Sequence, residues 1–201
     1  MFLNLSFAHW LVVLSAVISI AGAYSYIKDT LIGKTKPNRV SWFMWAIAPL
    51  IGTGAAISSG ADLWVTVRIF LAGFIPLIVL IASFVNAKSY WKVTKFDVVC
   101  GACSFLALIV WFCTDSPQYA ILVAAVGDGF AALPTIIKAW KYPDTENGKV
   151  FIASLISVLL VIPSIPTWNI ENSSFQIYLI AVNSILIFSI YRQTLFYSDP
   201  T

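Results

Sequence analysis

Residues 21–40 (AGAYSYIKDTLIGKTKPNRV) and residues 131–150 (AALPTIIKAWKYPDTENGKV) lie over one another without a gap. Ala21 meets Ala131, Ile27 meets Ile137 and Lys28 meets Lys138. Thr35 meets Thr145, Arg39 meets Lys149 and Val40 meets Val150. In both copies an apolar run ends at Ile-Lys, a polar turn follows, and a new apolar run starts after a basic residue. The chain therefore contains an internal repeat whose recurring unit begins as helix, basic turn, helix.

The basic residues elsewhere follow the same punctuation. Lys28, Lys34, Lys36 and Arg39 form one cluster, Lys88, Lys92 and Lys95 a second, and Lys138, Lys141 and Lys149 a third, with Arg192 near the C-terminus. The connections around 58–61, 114–118 and 166–174 carry no Lys or Arg. Short loops on the cytoplasmic side of a bilayer collect positive charge, so the alternation reads as membrane topology. Arg68 alone falls inside an apolar run.

Composition agrees. The chain is 60% hydrophobic and 10% charged, against roughly 25% charged in soluble domains. A 201-residue chain this apolar cannot cover its own surface in water, so it is expected to be an integral membrane protein, with the lipid bilayer as its first partner. The net charge of +3 follows from the basic turns and gives no reason to expect nucleic acid. Cys100, Cys103 and Cys113 lie in one run. Cys100-Gly-Ala-Cys103 is too few ligands for zinc, and the sole His, His9, is far away, so neither a metal nor a cofactor is expected. Leu11–Ile20 followed by Ala21-Gly22-Ala23 superficially resembles a signal peptide, but no basic residue precedes it. It reads as the first span.

About 20 apolar residues cross the hydrocarbon core. Seven segments qualify: 7–27, 40–58, 62–86, 96–113, 117–138, 149–165 and 174–192. The second and sixth are short and hold Pro49 and Pro163 near their outer ends. The runs are continuously apolar rather than alternating, which selects helices over barrel strands. The basic connections place the N-terminus outside and the C-terminus in the cytoplasm. The expected fold is an all-α membrane protein of seven spans in a 3+1+3 order. Residues 1–90 and 116–201 form two parallel three-helix repeats, and residues 91–115 a linker helix.

Leu133-Pro134-Thr135-Ile136-Ile137-Lys138 followed by Asp144-Thr145-Glu146-Asn147-Gly148 resembles the PQ-loop pattern, with Thr135 in place of the Gln. Tyr24-Ser25 occupies the corresponding position in the first repeat. With the 3+1+3 plan, the chain resembles the SWEET transporters and the wider PQ-loop superfamily, and the nicotinamide riboside-type vitamin transporters share a similar plan. The resemblance implies alternating access, with Pro134 and Tyr24 at the hinge positions.

Ionisable groups inside a membrane tend to face a cavity or a partner. Asp128, between Gly127 and Gly129 in mid-span, reads as a proton-titrating or substrate-binding carboxylate, or as a hydrogen-bonded core group. Arg68 reads as a ligand for an anionic substrate, a counter-ion to Asp128, or a cation snorkelling to the outer interface. Asn183 lies mid-span in the seventh segment, at the placement of the substrate-contacting Asn of the last SWEET span. Its alternative is an interhelical hydrogen bond. Trp42 and Trp45 share a helix face and read as a stacking platform for a sugar or heterocycle, or as an interfacial belt. Trp64, Trp168, Trp91, Trp140 and His9 read as interfacial, and Lys28 and Lys138 as topology determinants at helix ends. Asn4 and Asn172 begin sequons on the expected outer side.

The leading expectation is a transporter of a small polar substrate, sugar-like or anionic, with protons as a coupling ion. Its site would comprise Asp128, Asn183, Arg68, Trp42 and Trp45. The alternative is a ligand-binding receptor of the same fold, as in the KDEL receptors. An enzyme is disfavoured because the acid, base and nucleophile candidates are scattered. The expected location is the cell membrane or a bacterial inner membrane, and the plan is compatible with a homo-oligomer.

Overall fold

The computed structural model describes residues 6–165 and 167–196. The Asn4 sequon lies outside them. The described chain is helical, with no strand among these residues. Seven α-helices follow in order: α1 (Phe7–Leu31), α2 (Arg39–Ser58), α3 (Leu63–Val85), α4 (Lys95–Phe112), α5 (Pro117–Lys141), α6 (Lys149–Val161) and α7 (Ile170–Phe196). Six are long and apolar enough to cross a membrane, and α6 is shorter. This is the architecture of a multi-pass membrane protein.

Local chemistry sets the boundaries. Asn38 caps α2, accepting from the amides of Val40 (3.1 Å) and Ser41 (3.3 Å). Asp62 caps α3 in the same way, and Thr94 with Asp97 forms a capping box on α4. Gly33 ends α1 at φ 82°, a conformation that favours glycine. The sixth helix gives way to a 3-10 turn at Ile162–Ser164, where Pro163 has no amide hydrogen to donate. The first and fifth helices extend a few residues beyond their expected spans, to Leu31 and Lys141, and the fifth passes through Pro134 without a break. In a packed bundle, neighbouring groups re-satisfy the backbone around a proline.

The ungapped alignment holds in the helix boundaries. Phe7 and Pro117 start α1 and α5, Leu31 and Lys141 end them, and Arg39 and Lys149 start α2 and α6. Each pair is 110 residues apart. Packing follows a matching pattern. The third helix touches both α1 and α2, and the seventh touches both α5 and α6. The first packs on the sixth, and the second on the fifth. The fourth lies against α5 and α2.

Small residues allow these approaches. A Cβ on Gly22 of α1 would fall 2.4 Å from the Ala153 Cβ of α6. One on Gly73 of α3 would fall 2.9 Å from the Ala46 carbonyl of α2. Close backbone contact of this kind drives helix association in lipid, where apolar burial offers little. The core is an aromatic and aliphatic cluster centred on Tyr26, Trp42, Phe151, Ala132, Val79 and Leu186.

Gly22→Leu and Gly73→Leu should each destabilise the detergent-solubilised protein by about 1–3 kcal/mol through overpacking. Gly54→Ala, whose Cβ meets nothing within 4 Å, should be neutral or stabilising by up to about 1 kcal/mol. Denaturant or thermal unfolding checks all three.

Candidate functional site

The polar chemistry of the interior concentrates along the seam where α2 meets α5, with α1 and α7 closing its flanks. Three levels can be followed from the lysine-poor end of the bundle toward the basic turns.

The first level is Asp128. Its Oδ2 accepts a hydrogen bond from the Tyr178 hydroxyl of α7 at 2.6 Å. Trp45 of α2 also lies close enough to interact with this carboxylate. The tyrosine ring also packs over Gly129, where an added Cβ would make an ordinary contact at 3.7 Å. Asp128 is thus hydrogen-bonded by Tyr178 of α7 and neighboured by Trp45 of α2. It does not pair with Arg68. Among the described residues the sole ion pair lies elsewhere, and no hydrogen bond joins Arg68 to another of them. Arg68 is half-buried on α3, which does not meet α5 as a main packing partner.

The second level is Trp42, with Asn38 and Ser41 on one side and Thr135 on α5. Trp42 is buried, not interfacial. It packs on Tyr26 (4.8 Å between centroids), edge-on to Trp45 (5.3 Å), and near Phe151 (6.5 Å). Asn38, Ser41 and Thr135 are buried as well.

The third level is a charged knot at the basic end. Lys138 is buried and its Nζ donates to Glu146 Oε1 at 2.6 Å. The Tyr26 hydroxyl donates to the other carboxylate oxygen at 2.7 Å. The same ammonium donates to the Lys36 carbonyl and, at 3.4 Å, to that of Thr145. It also lies 5.0 Å from the centre of the Trp91 ring. The Lys36 amide in turn donates to the Thr145 carbonyl at 3.0 Å. Beside the knot, the Asn147 amide reaches Asp29 Oδ2 at 2.7 Å and Ser25 Oγ at 3.2 Å. The turn after α5 is therefore bound to the end of α1 and to the turn before α2.

Sequence reading and structure can now be matched residue by residue. Trp45 lies beside Asp128 and edge-on to Trp42, which itself sits one level deeper. Asn183 is buried on α7 and its amide donates to its own helix at Leu179 O, 2.7 Å. Pro134 is buried inside the continuous α5, whereas Tyr24 is exposed on the outside of α1. Lys138 is corrected most. It lies in the last turn of α5, as a helix-end lysine, but its side chain is buried against Glu146, whereas Lys28, 110 residues earlier, is exposed. His9 stacks on Trp64 at 4.8 Å, which joins two residues expected at the same membrane face. The three cysteines are free thiols.

Tyr26, Glu146, Asn147 and Tyr178 went unremarked as site residues. Glu146 could have been found as an acid in a turn otherwise expected to be basic. Tyr178 carries no local signal in so aromatic a chain. Comparison of the chain with protein-family models, curated proteins and solved structures finds no match.

Lys138→Met or Glu146→Gln should each cost about 3–5 kcal/mol, because one buried charge loses its partner. The double variant should cost clearly less than the sum, since the two groups act on each other. Unfolding of the purified proteins in detergent measures both.

Proposed function

We propose that this protein is a small-molecule transporter working by alternating access on a small polar substrate, with protons as the coupling ion. In this reading the seven helices form a 3+1+3 arrangement. The first and second three-helix units are parallel repeats, and α4 links them. The N-terminus is outside and the basic end of the bundle cytoplasmic. The observation that carries the proposal is the polar seam between α2 and α5, with Asp128, Tyr178 and Trp45 inside it.

The physical argument is as follows. Intramembrane carboxylates are costly and persist where they face a partner, a cavity or a substrate. Asp128 lies at a contact between the two repeats, where a rocking motion would change its surroundings most. The 110-residue register and the matched packing of α1 on α6 and α2 on α5 support two units that can tilt about a shared axis. The Lys138–Glu146–Tyr26 knot ties these units at the basic end, and Ser157 of α6 ties them further along α1 through the Ser19 hydroxyl and the Ser15 carbonyl. In this reading the charged knot is the contact that keeps the cytoplasmic end closed. Opening there would exchange this set of partners for another, giving two discrete arrangements instead of a continuous one.

Asp128 then serves as the titrating group, with the Tyr178 hydroxyl donating to its carboxylate. Trp45 and Trp42 supply a face for the substrate's apolar part.

Reconstituted protein should take up members of a labelled panel of sugars, nucleosides, amino acids and small carboxylates. Uptake should depend on a pH gradient, and Asp128→Asn should abolish that dependence. Tyr178→Phe removes one hydrogen bond to a charged group and should slow uptake about tenfold or more. Gradient-independent uptake that survives Asp128→Asn would reduce Asp128 to a structural group. A ligand that stabilises the protein yet never crosses would make it a receptor.

A further inference from the structure

Four buried polar atoms in the seam make no hydrogen bond of good geometry: Asn38 Nδ2, Ser41 Oγ, Thr135 Oγ1 and Trp42 Nε1, the last lying beside the Tyr26 hydroxyl. Their residues are at most 3% exposed. Buried polar groups are nearly always paired, so such a group calls for a specific explanation. Four of them along one helix contact call for a shared one.

They converge by register. Asn38, Ser41 and Trp42 are spaced i, i+3, i+4, which places them on one face of the α2 N-terminus. Lys138 near the end of α5 bonds the Lys36 carbonyl just before α2, and Asp128 further back in α5 meets Trp45 further along α2. The two helices therefore run antiparallel. Seven residues, about two turns, separate Asn38 from Trp45 and likewise Asp128 from Thr135. Thr135 consequently stands opposite Asn38, between the Asp128 level and the Lys138 level. Ala132 and Ala139, on the same α5 face as Thr135, belong to one core cluster with Trp42.

The chemistry of the four atoms selects a ligand. The Asn38 oxygen is already occupied by the Val40 and Ser41 amides, so its side chain offers donors. The Trp42 indole can only donate, and the two hydroxyls can donate. Behind them lies the positive end of α2. The nearby cations are engaged elsewhere: Lys138 with Glu146, and Arg39 with Ser83 and the Phe84 ring. A convergent set of neutral donors at a helix N-terminus suits an anionic acceptor, and a carboxylate has about four lone-pair sites to meet them. Neutral donors also hold it weakly enough to release, as a carrier must. A polyol would find acceptors only in the two hydroxyls, whereas a carboxylate accepts from all four groups.

We infer that the α2–α5 seam is a binding site for a small carboxylate, formed by Asn38, Ser41, Trp42 and Thr135. This rests on the transporter reading for its place in a translocation path, and names the substrate class.

The test is ligand-dependent thermal stabilisation of the full-length protein in detergent, titrated with lactate, succinate and glucose, with uptake measured in parallel. Lactate or succinate should raise the midpoint and glucose should not. Asn38→Asp keeps the helix cap but replaces the amide donor with a charged acceptor, and should abolish the shift. Thr135→Val is near-isosteric, should leave the unliganded protein at least as stable, and should weaken binding about tenfold or more. Carboxylate shifts that survive both variants would overturn the site. Stabilisation by glucose alone would overturn the ligand class. No shift by any probe, with a raised midpoint for Thr135→Val, would identify a water-filled seam and overturn both. Carboxylate binding without uptake would sink the transporter reading and leave this site standing. Uptake of another substrate without carboxylate binding would do the reverse.

Discussion

The Lys138–Glu146 pair is the constraint on which the rest of the interior depends. Both side chains are withdrawn from solvent, which is tolerable only because all three ammonium donors and both carboxylate oxygens have partners. The second carboxylate oxygen takes the Tyr26 hydroxyl, and the ammonium takes two backbone carbonyls. One of those carbonyls, Lys36, immediately precedes the capped start of α2. The ion pair thus sets where α2 begins relative to the end of α5. Through that register it decides which residues of the two helices face each other. The meeting of Trp45 with Asp128, two turns away, follows from the same alignment.

The knot is also asymmetric with respect to the repeat. In the ungapped alignment Lys138 corresponds to Lys28, Glu146 to Lys36 and Tyr26 to Ile136. The second copy contributes the ion pair, and the first contributes the phenol and a backbone carbonyl. An interaction at the meeting point of two related units can be made once, at the centre, without a duplicate. The two basic turns have accordingly diverged: one lysine remains exposed and the other is buried. The alignment therefore carries a single lock, with no counterpart at the equivalent positions.

Outside the knot, cohesion comes from close packing rather than charge. Lipid is as apolar as the helix surfaces, so helices associate through shape and small residues. Gly22 against Ala153 and Gly73 against Ala46 bring backbones within contact distance. The aromatic cluster of Tyr26, Trp42, Trp45 and Phe151 fills the space between them. That cluster borders the seam, so the polar groups there sit in a low-dielectric surround. Hydrogen bonds made in it are strengthened, and unmade ones are correspondingly costly.

Sequence by itself determined the class and the punctuation of this protein. Continuous apolar runs separated by basic turns require helices, since backbone groups in lipid can be satisfied only within a helix or a closed barrel. The repeat offset read from residues 21–40 and 131–150 reappears in the boundaries of α1 and α5 and at the starts of α2 and α6. Asp128 stood out because a lone carboxylate in an apolar run is conspicuous whatever it touches. Tertiary structure alone decided the pairings. Tyr26 and Glu146 are 120 residues apart, and Asp128 and Tyr178 are 50 apart. Which side of each helix faces inward depends on rotation and on contacts with distant segments, and a nearly all-apolar helix carries little amphipathic signal to reveal it. For that reason Lys138 read locally as a helix-end topology determinant, and Trp42 as either a stacking platform or an interfacial ring. Only the folded bundle made one the partner of a buried acid and the other part of the core.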